Sequence, residues 1–488
     1  MAEDRLSKFV NLMSKKITDS DLDLVNLGKS LGLDLVLFAD LRGSQEDEFA
    51  DLVREKALEK MAKYNDNVLN NKDSFYAGSI DFMVCDELGG KRFFLLETNG
   101  GSNRGLSILT QKQQVIMYDG YFEAILSAIE RDIRGDNKTL VLVGVPIEDG
   151  LIHEKVIMIE HLRKRIKERN LSVEIYNVNN FKDDFEVDVA FLIADYKQLS
   201  NSLSFVDNWI VFNESACISV LIGDGIARRL HDEEFERLIK ENYHAIKSRI
   251  VNPIYRVTDD KSLTYLASFF AKDELERYNL KYLLFTKAYD EKELIEKINN
   301  ALTEYKKPFI IKPDGGSGGA GVIPIGPDED PANLKNLIEE SKKEFFSKFM
   351  KNRNPFPYTL MEMASFKIIK WKKNENHTYD IRLYLAQKNG MIIPVGGLAR
   401  VARGAYKGTL NKEEFVVNLS GFDGVIEVNR GLGLSSKNSK ILDLKIKDFV
   451  DMFCIGCIMF KSIAENYQKI VNFSDWNQII GENEIDLY

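Results

Sequence analysis

Residues 307–322 carry the densest run of side chains and glycines that could handle an anion. An apolar stretch ends at Lys312, and Gly315, Gly316, Gly318, Gly319 and Gly321 follow with Ser317 among them. Amides without a neighbouring Cβ can approach phosphate oxygens, and a lysine just upstream adds charge to the same group. Alone, such a run reads more readily as a flexible linker. Its neighbours favour the phosphate reading.

A second constellation lies far earlier in the chain. Strand-like runs at 80–85 and 92–98 flank Leu88, Gly89 and Gly90, which reads as a hairpin. A turn centred on Gly89 sets Asp81 opposite Glu97, with Asn99 on the same face two residues on. Opposed carboxylates repel unless a cation lies between them. Asp81, Glu97 and Asn99 therefore form a hard oxygen set suited to magnesium held together with substrate phosphates. Gly100, Gly101 and Gly105 would let backbone approach a ligand, with Arg104 as an anion contact.

Arg382 shares a strand face with Asp380 and Tyr384, and Arg400 and Arg403 follow a Gly396, Gly397 pair. Arginines converging near a phosphate loop and a carboxylate hairpin point to triphosphate chemistry. Lys261 falls in the first turn of a helix opened by Asp260, where the helix dipole offers a cation nothing, so it reads as a phosphate ligand or as a plain surface lysine. Glu427 and Asn429 are a rival metal pair, ranked lower because the nearest acid, Asp423, reads as a turn residue. Asn418 and Ser420 could reach phosphate or metal.

The elements that must position these residues fall into three parts. Residues 1–135 hold N-terminal helices, with a strand at 35–38, a helix over 47–62 and the carboxylate hairpin. Residues 136–250 alternate strands (139–145, 172–178, 187–195, 210–212) with a helix over 155–169, the pattern of a parallel layer. Residues 251–488 hold the glycine loop, a strand ending at Glu362, a hairpin turning at Asn389 and Gly390, and a long apolar helix over 444–465. The chain has 488 residues, 44% hydrophobic, with a net charge of -9, which argues for a folded protein and against a nucleic-acid surface. Four scattered cysteines suit a reducing compartment, and the Cys454, Cys457 pair sits in an apolar helix where core packing explains it. The first residues lack the apolar core of a signal peptide and no apolar run could span a bilayer, so a cytoplasmic protein without a membrane partner is expected.

Taken as a set, Asp260 with Lys261, residues 308–313, Leu360 to Glu362, Asp380 with Arg382, and an acid followed by Glu97 and Asn99 resemble the ATP-grasp superfamily. The carboxylate set comes first here, an order that resembles the circularly permuted ATP-grasp proteins, among them the synthetase domain of glutathionylspermidine synthetase. Residues 397–402 and 417–420 resemble segments of that group too. The resemblance covers roughly residues 75–430 and implies an α/β (α+β) ATP-grasp fold with a central Rossmann-like pre-ATP-grasp layer. It implies a ligase that uses ATP and Mg2+ to join a small-molecule or peptide carboxylate to an amine through an acylphosphate. In that scheme Lys261, Lys312, the glycine loop and Asn418 bind nucleotide, and Glu362 takes its adenine-ribose end. Asp81, Glu97 and Asn99 hold the metal, while Arg382 and Arg400 stabilise the transferring phosphoryl group. The alternatives are a phosphotransferase, for which Asp380 is the candidate base, and a non-catalytic nucleotide-binding protein. No oligomeric state is legible.

Overall fold

The computed structural model describes residues 45–472 apart from 101–104, 135–136, 146–151, 200, 228–229, 314–318, 349–353, 416 and 420–427, together with 26, 28 and 29. The expected strand at 35–38 lies outside the described residues. Helix Asp47–Ala62 forms where Phe49, Val53, Ala57 and Met61 recur every four residues, and all four are buried. Next come β1 (Ala77–Glu87) and β2 (Gly90–Asn99). Their turn is Leu88 and Gly89, since Glu87 pairs with Gly90, half a residue away from a turn centred on Gly89. Continued unbroken, that register would set Asp81 against Leu96. A bulge at Leu96 absorbs the offset, and Asp81 faces Glu97.

Helix Gln111–Arg134 leads into the central layer. Its strands are β3 (Thr139–Val145), β4 (Val173–Asn177) and β5 (Val189–Asp195), with helix Ile152–Lys167 after β3. Then come β6 (Leu203–Val206), β7 (Trp209–Phe212), β8 (Ala216–Cys217), β9 (Val220–Ile222) and β10 (Arg249–Ile250). The order β10-β9-β3-β5-β4 is parallel throughout, and β3 is buried at every position, as a strand covered on both faces must be. Residues 210–212, expected in this layer, instead lie in β7 of a separate antiparallel sheet, β6-β7-β8. A short apolar run looks the same in either setting, and β9 and β10 hold the edge instead.

Helix Lys261–Phe269, capped by the Asp260 carboxylate, precedes β11 (Leu280–Lys281), β12 (Phe285–Ala288) and helix Glu291–Tyr305. With β13 (Phe309–Pro313), β14 (Ile323–Ile325), helix Leu334–Lys348 and β15 (Tyr358–Glu362), this gives an antiparallel sheet in the order β12-β15-β13-β14. Leu294, Ile298, Leu334 and Ile338 seal its two helices onto it.

The last strands are β16 (Ile368–Lys370), β17 (Asn376–Lys388), β18 (Met391–Val401) and β19 (Gly431–Gly433). Asn389 and Gly390 join β17 to β18 at φ of 51° and 79°, the left-handed pair a two-residue hairpin turn requires. β17 also pairs with β1, so the early hairpin and the late strands make one sheet, β11-β2-β1-β17-β18-β19, with β16 on β17. Helix Ile446–Val471 lies against the Ile80 and Leu385 face of this sheet. A Cβ on Gly78 would meet the Phe460 ring at 2.6 Å, and one on Gly456 would meet Leu385 at 2.9 Å. Cys454 and Cys457 are buried in the same helix, and burial pushes the Cys454 thiol up to about 12, which leaves it inert packing. No described helix is long and apolar enough to cross a membrane.

Candidate active site

Ile80 faces the long helix, so Asp81, its neighbour in β1, points to the other side of the sheet. The register lines up Glu97, Asp81, Arg382 and Leu398 across β2, β1, β17 and β18, with Asp380 opposite Arg400 one step along. Arg382 grips Asp81 with two bonds, Nε to Oδ1 at 2.7 Å and Nη2 to Oδ2 at 2.6 Å. Arg400 donates from Nη2 to the same Oδ2 at 2.7 Å, and from Nε to Asp380 Oδ1 at 2.8 Å, with Nη2 also on Asp380 Oδ2. Arg382 Nη2 lies 3.5 Å from Glu97 Oε1. The cation between the opposed acids Asp81 and Glu97 is thus a guanidinium.

Burial alone would raise the Asp81 carboxyl, but Arg382 and Arg400 hold it well below the usual carboxylate range. Asp380 is pushed up by burial, with Asp81 adding to the shift and Arg400 opposing it. Asp81 and the two arginines are sustained in the interior because each has an oppositely charged group on two sides, and Asp380 because both its oxygens are held by Arg400. Glu97 ends the row at the surface side, its side chain 34% exposed.

Lys312 sits near the end of β13, buried, with Nζ 3.3 Å from the Tyr265 hydroxyl. Tyr265 comes from the Lys261 helix and its hydroxyl donates to the carbonyl of Leu96, the bulge residue of β2. Burial, with the charge of Lys261 next to it, pushes Lys312 down to about 7, while Glu97 pulls the other way. Lys261, Lys312 and Glu97 therefore share one electrostatic neighbourhood. Asp260, besides capping its helix, pairs with Lys287 of β12 at 2.6 Å. Glu362 closes β15: Lys307 donates to its Oε1 at 2.7 Å, and its amide donates to the Leu284 carbonyl at 2.7 Å. Five residues later the Lys367 amide donates to Val84 of β1, so Glu362 stands where the chain crosses between the two sheets.

Of the glycine loop, Gly319 and Gly321 are described, at φ of 76° and 75°, while Gly315, Gly316, Ser317 and Gly318 lie outside the described residues. The Gly321 amide donates to Glu344 at 3.0 Å, and Glu344 also takes Lys412 from the segment after β18. The carboxylate of Glu414 fixes that segment by accepting from the amides of Lys407 and Gly408 at 3.0 Å each. Asn418 is held through its carbonyl, 2.6 Å from Nη2 of the buried Arg430. Glu427 lies outside the described residues, and Asn429 is exposed. Tyr265, Glu344, Glu414 and Arg430 carried no sequence signal, because each acts through partners far away in the chain. Glu154, at the start of the central-layer helix, is another, accepting from the Gly105 amide at 3.0 Å.

Magnesium needs oxygen donors that are free to turn to it. Glu97 has one edge toward solvent, and beside it the Asn99 side-chain nitrogen is buried without a partner. Turned over, that amide offers its oxygen on the same face, so Glu97 and Asn99 fit a magnesium ion that draws its other ligands from phosphate and water. Among the described residues no group of three or more acidic, histidine or cysteine side chains is gathered for a metal. A surface notch of about 310 Å³ between residues 85–87 and 365–368 lies at the turn end of β1, away from this chemistry.

No family model and no curated protein matches the chain. Among solved structures it is similar to a glutathione synthetase-like effector from Globodera pallida in its apo form, at 12% identity and a TM-score of 0.38, over 80% of this chain and 87% of that one. It is also similar to D-alanyl-alanine synthetase A from Vibrio cholerae O1 biovar eltor, at 10% identity and a TM-score of 0.32, over 63% of this chain and 78% of that one. At this level of likeness neither structure bears on what the chain does, which rests on its own residues.

Proposed function

We propose that the chain is an ATP-dependent carboxylate-amine ligase of circularly permuted ATP-grasp type, with the parallel layer on the substrate side. The observation that carries the reading is the row from Glu97 to Arg400, in which two buried guanidiniums are fixed beside a partly exposed carboxylate whose charge also acts on the buried Lys312. Fixed cations beside a metal-competent carboxylate and a buried lysine suit a highly charged phosphate ligand.

In this reading Lys261, Lys312, Asn418 and the loop of Gly315, Gly316, Ser317, Gly318, Gly319 and Gly321 bind the nucleotide phosphates, and Glu362 takes the adenine-ribose end. Glu97 and Asn99 would hold magnesium, which when bound neutralises phosphate charge. A carboxylate oxygen of the substrate attacks the γ-phosphorus, and the bond to the bridging oxygen breaks as ADP leaves. Arg382 and Arg400 stabilise the charge that spreads over the transferring group. The amine nitrogen then attacks the acyl carbon, phosphate departs with the carbon-oxygen electron pair, and the amine proton passes to solvent. The phosphotransferase reading is weaker, because Asp380, its candidate base, has both oxygens engaged by Arg400.

The test is mass spectrometry of a metabolite mixture incubated with the protein, ATP and magnesium. A product whose mass is that of two metabolites less water, formed with ADP, supports ligation. A metabolite that gains one phosphoryl group instead overturns it in favour of phosphotransfer.

A further inference from the structure

Asp81 reads from the sequence as a metal ligand alongside Glu97 and Asn99, and its surroundings give it a different task. It is 1% exposed and lies between two strands, with Glu97 opposite on β2 and Arg382 opposite on β17. Its Oδ1 takes Arg382 Nε at 2.7 Å, and its Oδ2 takes both Arg382 Nη2 at 2.6 Å and Arg400 Nη2 at 2.7 Å. Turning either oxygen to a metal ion would strand a guanidinium that is itself largely buried, with side-chain exposures of 13% and 9% for the two arginines. Glu97 is less committed: it lies 3.5 Å from Arg382 Nη2 and in hydrogen-bond contact with Asp81, but a third of its side chain is open.

We propose that Asp81 is a positioning residue that locks Arg382 and Arg400 together, leaving metal binding to Glu97 and Asn99; this rests on the ligase reading above. Two guanidiniums repel, and a single carboxylate bonded to both sets their separation and aims them as a unit. Asp380 holds Arg400 from its far side, so the pair cannot swing apart. The Nε and Nη2 edges are spent on carboxylates, and the Nη1 edges are what a transferring phosphoryl group would meet. The spacing of the two cations is thereby set before any ligand arrives.

The experiment is a manganese titration followed by electron paramagnetic resonance, with a non-hydrolysable ATP analogue present, on wild type, Asp81→Asn and Glu97→Gln. Asp81→Asn should keep the manganese affinity within about twofold, while Glu97→Gln should lose about tenfold or more, the range typical of altered metal sites. In the ligation assay Asp81→Asn should lower kcat about a hundredfold with little change in KM for ATP, as expected when only transition-state charge stabilisation is lost. If Asp81→Asn weakens manganese as much as Glu97→Gln, the proposal is overturned. Should the single variant not fold, Asp81→Asn combined with Arg382→Gln removes the buried pair together, and the same titration decides. The titration needs no turnover, so a protein that proves not to be a ligase would defeat the ligase reading without settling the role of Asp81.

Discussion

The ammonium of Lys312 lies 3.3 Å from the hydroxyl of Tyr265, and that hydroxyl donates onward to Leu96, so a buried lysine of the smaller sheet is tied to the bulge beside Glu97 in the larger one. Burial, with Lys261 adding to it, pushes Lys312 down to about 7. A bound phosphate would raise that value again, so nucleotide binding takes up a proton. Affinity should be greatest below about pH 7 and fall as the pH rises above it. Calorimetry at pH 7.5 in two buffers of different ionisation enthalpy should show the uptake. Lys312→Met should abolish it and weaken binding by roughly tenfold or more, the loss expected of a charge-assisted phosphate contact.

The same lysine should destabilise the nucleotide-free fold. Its folded value lies below its ordinary 10.5, so the unfolded chain binds more protons between those limits. The penalty is fully present below about pH 7 and disappears as the pH rises towards 10.5. Without nucleotide, Lys312→Met should therefore melt above wild type at pH 7, and the gap should narrow by pH 10. A gap that widens with pH would contradict the burial account.

Glu344 links the Gly321 amide to Lys412, and so ties the glycine loop's anchor to the segment after β18. The two side chains are 31% and 13% exposed, so the ion pair is partly screened and worth about 0.5–1 kcal/mol. Glu344→Gln should weaken nucleotide binding by about twofold to fivefold with little change in melting temperature. High salt should shrink the difference between the two proteins.

Gly78 faces the ring of Phe460 where the long helix meets β1. An alanine there would put its Cβ at 2.6 Å from that ring and 2.9 Å from Phe75, an overpacking that should cost about 1–3 kcal/mol in urea unfolding. Phe460→Leu should partly rescue Gly78→Ala. Strict additivity of the two changes would show that they do not meet in this way.

Asn252 has φ of 57° and is fully buried. Its Oδ1 accepts the Tyr76 amide at 2.8 Å, and its Nδ2 donates to the Ala77 carbonyl, so it pins the start of β1 to the chain leaving the central layer. Asn252→Ala strands those groups and puts alanine in the left-handed region, for about 2–4 kcal/mol of lost stability. Asn252→Gly removes only the bonds and should be milder, by about 1 kcal/mol. Equal losses would mean that the backbone conformation contributes nothing.

The sequence by itself determined the local elements and the residues that could do chemistry. The four-residue spacing of Phe49, Val53, Ala57 and Met61, the Asp260 cap and the Asn389, Gly390 turn each act within a few residues, and each appears as read. The meeting of Asp81 with Glu97 was legible only in outcome. The turn lies half a residue from Gly89, and the bulge at Leu96, which restores the pairing, depends on packing that no local pattern encodes. Tertiary structure alone decided that β1 pairs with β17, because hydrogen bonding along a strand edge records no address in the sequence. It decided equally that the cation beside Asp81 is an arginine: Arg382 and Arg400 arrive from strands some three hundred residues away, and only folding brings them within bonding distance.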